Sequence, residues 1–120
     1  MRMAPRRIWL CADDYGISPG VNAGIRELIL RGRINATSIM VATPHFNGDE
    51  AAALDTLNSG EKRAALGLHV TLTAPFKPMS NGFAPLRAGQ FISLNDTLRT
   101  ASTRRLRPES LVIEISSDLM

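Results

Sequence analysis

The sequence contains a single cysteine and two histidines, and aromatic residues make up only 5% of its 120 positions. One cysteine, Cys11, excludes an internal disulfide. Because Cys11 lies in an apolar run, we expect its side chain to pack as a small buried hydrophobe. The scarcity of aromatic side chains argues against a single-stranded nucleic-acid partner, since such proteins stack bases on aromatic rings.

Clustered positive charge and long apolar stretches are also lacking. Fourteen Lys and Arg against eleven Asp and Glu give a net charge of +3, and the basic residues are scattered along the chain. No apolar stretch approaches the ~20 residues of a membrane span, and the N-terminal run IWLCA is shorter than the roughly 7–15 residues of a signal-peptide core. We therefore expect one cytoplasmic domain over 1–120, with no nucleic-acid partner and no membrane span.

Strand and helix patterns alternate over the first 72 residues. A continuous apolar run predicts a strand covered on both faces at 8–12, and strand-like patterns follow at 36–42 and 65–72. A Ser-Pro start and apolar residues at helical spacing predict a helix over 18–31, with Gly32 ending it. A second helix is expected from Asp49 to the stop signal NSG at 58–60. The alternation predicts an α/β fold with parallel strands joined by helical crossovers.

The second half of the chain has a different texture. Residues 74–91 carry three prolines and two glycines and are expected to form a long loop without an element of its own, bordering the substrate. Ser93 is expected to cap a short helix through Leu98. The last segment opens at Pro108 and repeats apolar residues every four positions, which predicts a helix, although its Val and Ile content also fits a strand.

Two adjacent aspartates and a histidine are the residues best suited to chemistry. Asp13 and Asp14 follow the first predicted strand, and His69 lies in the second half of the third. Sites in parallel α/β folds lie at the carboxyl ends of the strands, so these side chains are expected to converge. Carboxylates suit Mg²⁺ or Mn²⁺, and an imidazole adds affinity for Zn²⁺. The alternatives are an Asp turn that bonds backbone amides and a hydrogen-bonded packing role for His69; His45, in a loop, is expected to have no metal role.

Several motifs together carry a family resemblance. The stretches CADDYGISPGVNAGI, ATSIMV and LGLHVTLT, in that order, resemble the YdjC-like (ChbG/HpnK) carbohydrate deacetylase family. The resemblance covers about residues 7–118 and is loose over 74–107. It implies the N-terminal half of an irregular (β/α) barrel of the polysaccharide-deacetylase type, similar to a TIM barrel. It also implies metal-dependent hydrolysis of the N-acetyl group of an amino sugar or its conjugate.

The resemblance also implies roles for particular residues. Asp13 matches the general base, while Asp14 and His69 match ligands of a divalent metal, Mg²⁺ or Zn²⁺; the two aspartates could exchange roles. Asn22 and Tyr15 are candidate substrate-binding residues. The metal would activate a water and polarise the amide carbonyl.

The sequence departs from the family in one respect. Family members are roughly twice as long, consistent with a barrel of about 250 residues, and a later D-x-H-x-H-x-H segment supplies the remaining metal histidine. With only His45 and His69 here, we expect an incomplete ligand set and an impaired enzyme. The alternative is a non-catalytic sugar- or metal-binding half-barrel that self-associates through open sheet edges.

Overall fold

The computed structural model describes residues 3–119. In chain order its elements are β1 (Cys11–Tyr15), α1 (Pro19–Leu30), β2 (Ala36–Ile39), α2 (Gly48–Asn58), β3 (Ala65–Leu68), β4 (Leu86–Arg87), β5 (Gln90–Phe91), α3 (Leu94–Ser102) and α4 (Pro108–Leu119). The expected α/β fold with parallel strands is confirmed. No helix within 3–119 combines the length and apolar character needed to cross a membrane.

The three longer strands form one parallel sheet in the order β1-β2-β3. Sequence order and spatial order agree, so each crossover leads to the next strand along the sheet. One sheet face packs on both α1 and α2, and their side chains share a single core, built from Tyr15, Ile25, Ile29, Leu54 and Ala64. Neither α1 nor α2 contributes a buried residue to the opposite face, which holds Cys11, Asp13, Ser38 and His69.

Helix α1 forms where the sequence predicts it. The Ser18 hydroxyl accepts a hydrogen bond from the Val21 N–H, and a proline begins the first turn. Ile25 and Ile29, one turn apart, are buried against the sheet. Gly32 follows the helix with φ +64°, a left-handed conformation that costs glycine little.

The first predicted strand is misplaced. Residues 8–10 lie outside β1, and the Trp9 side chain is 74% exposed instead of being covered on both faces. The side-chain amide of Asn35 takes the hydrogen bonds of this segment, accepting from the Leu10 N–H at 2.7 Å and donating to the Ile8 carbonyl at 2.9 Å. Strand pairing to β2 therefore starts at Cys11, and the Asp pair lies inside the strand.

Other element boundaries also differ. Strands β2 and β3 end at Ile39 and Leu68, earlier than predicted. The 74–91 segment contains the hairpin β4–β5, whose turn has φ +52° at Ala88 and +75° at Gly89. Alanine is an unusual residue for such a turn, so the composition gave no clear signal. Helix α3 runs to Ser102, well past the predicted end at Leu98. The last segment, for which the sequence allowed a helix or a strand, forms helix α4.

Helix α4 buries its polar side. Ser110, Glu114 and Asp118 are buried at four-residue spacing, whereas Val112 and Ile113 are exposed. Glu114 accepts hydrogen bonds from the backbone N–H groups of two residues in the 74–91 segment. The helix is therefore held to that segment by a buried carboxylate.

Asp118 is the member of this group whose carboxylate has no hydrogen-bond partner within the described residues. Its side chain is 6% exposed, and neither carboxylate oxygen has a hydrogen-bond partner among residues 3–119. Burial, together with the nearby Glu114, raises the pKa of Asp118 to about 6. The folded state therefore holds a proton that the unfolded chain releases near its ordinary pKa of about 4.

We expect Asp118→Asn to raise the free energy of unfolding by about 1–2 kcal/mol at pH 7.5, because it removes a buried unpaired charge. The unsubstituted protein should lose stability relative to the variant as pH rises from about 4 to about 6, because the Asp118 proton is then released from the folded state. Urea unfolding between pH 4 and pH 8 measures both. Equal stabilities across this range would contradict the argument.

Candidate active site

A β-bulge in β1 carries the two adjacent carboxylates. Ala12 pairs with Thr37 and Tyr15 with Ile39, so Asp13 and Asp14 together stand opposite the single residue Ser38 of β2. Asp14 has φ +68°, a left-handed conformation that aspartate tolerates better than most residues. In a regular strand neighbouring side chains point to opposite faces. The bulge removes that alternation at the Asp pair.

The register of β2 and β3 brings the remaining polar groups to the same face. Ser38 pairs with Gly67, and His69 lies two residues further along the chain, on the face that Ser38 occupies. Gly67 has no side chain to stand between them. The His69 backbone N–H bonds the Ile39 carbonyl at 2.9 Å, which continues the parallel pairing past the end of β3.

These side chains lie within hydrogen-bond reach of one another. The Ser38 hydroxyl donates to Asp13 Oδ1 at 2.7 Å and lies 3.0 Å from His69 Nδ1. His69 Nδ1 is also 3.3 Å from Asp14 Oδ1. The His69 side chain is 34% exposed and that of Asp14 is 48% exposed, so the group is open to solvent. The expected convergence of the two aspartates with His69 is therefore present in the structure.

Ser38 is not among the predicted site residues, yet it joins Asp13 to His69, which in turn contacts Asp14. Its signal in the sequence is modest, a hydroxyl pair inside the otherwise apolar stretch ATSIMVA. Thr37, the other member of the pair, is buried and donates to the Ala12 carbonyl at 2.7 Å. The strand register alone decides that the Thr37 hydroxyl is buried in the fold and that the Ser38 hydroxyl faces the site.

Cys11 does not pack as a buried hydrophobe; that prediction is wrong. Its side chain is exposed and lies on the sheet face opposite the core formed with α1 and α2. The thiol lies 3.7 Å from Asp13 Oδ1, two residues along the same face. Partial desolvation, followed by the negative charge of Asp13, raises the pKa of the Cys11 thiol. The thiol is thus a weak nucleophile in this setting.

Tyr15 and Asn22 are completely buried. The Tyr15 hydroxyl bonds Glu50 Oε2 and lies 2.8 Å from Arg26 Nη1, and Arg26 and Glu50 form an ion pair. Burial and the Glu50 hydrogen bond raise the pKa of Tyr15 to about 12. The Tyr15 hydroxyl is already hydrogen-bonded to Arg26 and Glu50. Its contact with a substrate stays a prediction.

Asn22 connects the two loops at the carboxyl ends of β1 and β2. Its side-chain oxygen accepts from the Gly16 N–H at 2.6 Å, and its nitrogen donates to the carbonyl of exposed His45 at 3.0 Å. Asn22 therefore fixes the position of the turn that follows the Asp pair. A direct role in substrate binding likewise stays a prediction.

Open clefts exist at both ends of the sheet. A cleft of about 450 Å³ lies between residues 41–44, which follow β2, and residues 75–79 of the predicted loop. Another, of about 500 Å³, is lined by residues 7–9, Asn35 and 62–65 at the amino ends of the strands. Ligands of parallel α/β folds bind beyond the carboxyl ends, so the first cleft is the better candidate for substrate.

The donor set is partly suited to a divalent cation. Asp13, Asp14 and His69 offer carboxylate oxygens and an imidazole nitrogen, the ligands that Mg²⁺ and Zn²⁺ accept. Within residues 3–119, however, no three His, Cys, Asp or Glu side chains are already arranged as a metal cage. A cation bound here would take further ligands from water or from groups outside these residues.

The fold and the site together define an α/β protein. Its parallel strands lie in the sheet in sequence order, and a polar site open to solvent lies toward their carboxyl ends. The family model described as YdjC-like protein matches residues 7–117. The chain therefore belongs to the YdjC-like family, as the motifs predict.

Three sequence relatives are named carbohydrate deacetylase. Proteins named carbohydrate deacetylase from Enterococcus faecalis (31% identity) and Thermoanaerobacter pseudethanolicus (39% identity) each match over 59% and 58% of this chain and 26% of their own length. One from Clostridium beijerinckii is 28% identical over 86% of this chain and 40% of its own length. The chain thus spans less than half of each of these relatives.

A solved structure shares the fold. The crystal structure of an Enterococcus faecalis V583 protein, described as a candidate cellobiose-phosphate cleavage protein, superimposes with a TM-score of 0.66 at 25% identity. The match covers 92% of this chain and 41% of the other.

Proposed function

We propose that this chain forms one side of the active site of a carbohydrate deacetylase, on the N-terminal half of an irregular (β/α) barrel. The sheet order β1-β2-β3, with α1 and α2 packed on one face, agrees with the first strands of a barrel, in which each crossover leads to the next strand and the helices stay on one side. The name shared by the relatives supports the activity. The proposed substrate is an N-acetylated amino sugar or its conjugate.

The bulge at Asp13 and Asp14 is the observation that carries this proposal. It brings two adjacent carboxylates to the face that holds Ser38 and His69, where Asp13 contacts Ser38 and Asp14 contacts His69. A simple Asp turn would bond backbone amides, but these carboxylates contact the side chains of Cys11, Ser38 and His69. Two acceptors and an imidazole kept together on an open face suit proton transfer and cation binding.

In this proposal Asp13 is the general base and takes the proton of the attacking water. Asp14 and His69 hold a divalent cation, Mg²⁺ or Zn²⁺, which when bound supplies Lewis-acid polarisation of the amide carbonyl and a more acidic water. Asn22 fixes the loops that follow β1 and β2, while the Tyr15 hydroxyl bonds Arg26 of α1 and Glu50 of α2. With one imidazole in the set, we expect weak cation binding and impaired turnover.

Acetate release from N,N′-diacetylchitobiose tests the proposal. With Zn²⁺ or Mg²⁺ present, we expect slow release that falls by about 100-fold or more in Asp13→Asn, because the base is lost. We expect His69→Gln to weaken Zn²⁺ binding, measured by calorimetry, by about tenfold or more. The control is His45→Gln, which removes the other imidazole from an exposed loop position.

The outcomes separate the candidate functions. Folded protein that binds no divalent cation and releases no acetate would contradict the deacetylase site. Cation binding without acetate release would favour the second candidate, a non-catalytic sugar- or metal-binding half-barrel that works through self-association.

One observation favours that second candidate. β1 and β3 are the outer strands of the sheet, and apolar side chains near β3 and on α4 are exposed, namely Leu66, Val70, Val112 and Ile113. Unpaired strand edges are templates for pairing with another chain. Light scattering after size-exclusion chromatography should then give a concentration-dependent dimer mass, and a monomer at all concentrations would exclude this candidate.

A further inference from the structure

The amino edge of the parallel sheet gathers positive charge that is scattered along the sequence. Five exposed cations lie in the segments that lead into β1, β2 and β3, namely Arg6, Arg7, Arg33, Lys62 and Arg63. Because the three strands are parallel and neighbouring, these segments meet at one edge of the sheet. The fold therefore brings the cations together at the edge opposite the candidate active site.

This edge carries the whole positive excess of the chain. The segments 6–10, 32–35 and 61–64 hold five cations and one acid, Glu61, which gives them a net charge of +4. The full sequence has a net charge of +3, so the rest of the chain is slightly negative. Among residues 3–119, none of the five cations forms an ion pair. Their charge can therefore attract an anionic partner.

Apolar side chains project from the same edge. Ile8, Trp9 and Leu10 are 70%, 74% and 51% exposed. The side-chain amide of Asn35 bonds the backbone of Ile8 and Leu10 and so holds this segment against the strand that follows it. The three side chains are thus presented to solvent by a segment whose backbone is fixed.

Two adjoining clefts join the cations to this apolar segment. The cleft of about 500 Å³ at the amino ends of the strands has three cations in its lining, Arg7, Lys62 and Arg63. Ile8 lines this cleft and also a smaller one, of about 160 Å³, that contains Arg33. Within the described part of the chain, no acidic side chain lines either cleft. The lining is suited to phosphate groups.

We propose that this edge of the sheet docks on an anionic membrane surface, where Ile8, Trp9 and Leu10 enter the headgroup region and the cations bind lipid phosphates. Exposed apolar side chains beside cations are typical of proteins that lie on such a surface. Each cation near the surface adds about fivefold to the affinity. The docking does not depend on the proposed deacetylase activity.

Other anionic partners fit these residues less well. A single-stranded nucleic acid needs several rings on which its bases can stack, and Ile8 and Leu10 are aliphatic. An acidic protein would match the cations, but it would also need a groove for three projecting apolar side chains. A fluid lipid layer accepts such side chains without a complementary groove.

The fluorescence of Trp9 tests the docking, because this residue is the only tryptophan of the chain. With vesicles of phosphatidylcholine containing a quarter of phosphatidylglycerol, we expect a blue shift of the emission and quenching by brominated lipid, both weakened by high salt. Vesicles of phosphatidylcholine alone should bind about tenfold or more weakly. An emission that stays unchanged, or vesicle binding without quenching by brominated lipid, would overturn the proposal.

Co-sedimentation with the same vesicles compares matched variants. We expect the double variant Lys62→Gln/Arg63→Gln to bind about 20-fold or more weakly, and Trp9→Ala about tenfold more weakly. The control Arg105→Gln/Arg107→Gln removes the same charge from exposed positions between α3 and α4 and should stay within about twofold of the unsubstituted protein. Circular dichroism checks that each variant is folded.

Two further outcomes would contradict the proposal. An equal loss of vesicle binding in both double variants would show attraction by overall charge and not by this surface. Tighter binding of oligothymidylate or polyglutamate than of the vesicles, with the same dependence on Lys62 and Arg63, would assign the surface to an acidic macromolecule instead of a membrane.

Discussion

Gly16→Ala is expected to lower the free energy of unfolding by about 3 kcal/mol or more. Gly16 has φ +109°, a conformation that alanine adopts only with strain. A Cβ at this position would also lie 2.8 Å from the Met40 carbonyl oxygen and 3.2 Å from Thr43 Oγ1. Neither atom can move away easily, because the Thr43 hydroxyl donates to the carbonyl groups of both Gly16 and Met40.

Chemical denaturation measures this loss, and Gly24→Ala is the matched control. Gly24 lies inside α1 with open space around the added methyl, so that variant should gain about 0.5–1 kcal/mol. Similar effects of the two alanines would show that the turn after the Asp pair adapts freely. Gly16 donates its N–H to Asn22, so a displaced turn would also disturb the aspartates two and three residues earlier.

Glu114→Ala is expected to cost about 2–4 kcal/mol of unfolding free energy. The carboxylate is completely buried and accepts from the N–H groups of Met79 at 2.7 Å and Ser80 at 3.0 Å, as well as from the Ser80 hydroxyl. Truncation leaves these part-buried donors without their partner, and an unsatisfied donor costs about 1–3 kcal/mol where water does not reach it. The loss is partly offset because Asp118 no longer faces a second carboxyl group.

Thermal or urea unfolding of Glu114→Ala should be compared with Glu109→Ala. Glu109 lies exposed in the first turn of the same helix, so its removal should change the unfolding free energy by about 0.5 kcal/mol or less. If the two variants are equally stable, α4 does not anchor the 74–91 segment. A selective loss in Glu114→Ala would show that a buried carboxylate holds one wall of the candidate substrate cleft.

Helix α1 shows how well local signals perform. The Ser-Pro start, the apolar spacing and the final glycine are all read over short distances, and the helix forms within one residue of its predicted limits. The first strand shows the opposite case. An apolar run predicts burial at 8–12, but Asn35, distant in sequence, takes the hydrogen bonds that would have made 8–10 a strand.

The site divides in the same way. The residue types at 13, 14 and 69, and the motif order around them, predict the family and bring the right side chains together. Ser38 could not be singled out, because its importance depends on two residues of β1 standing opposite one residue of β2. This two-to-one pairing depends on how the two strands align, and no local sequence pattern in either strand predicts it.

By itself, the sequence determined the alternation of strands and helices, the family, and the pairing of two carboxylates with an imidazole. The stretch ADDYG looks locally like a turn, and only the tertiary structure turned it into a bulged strand with both carboxylates on one open face. The physical reason is that side-chain direction in a sheet depends on register, which neighbouring strands set jointly.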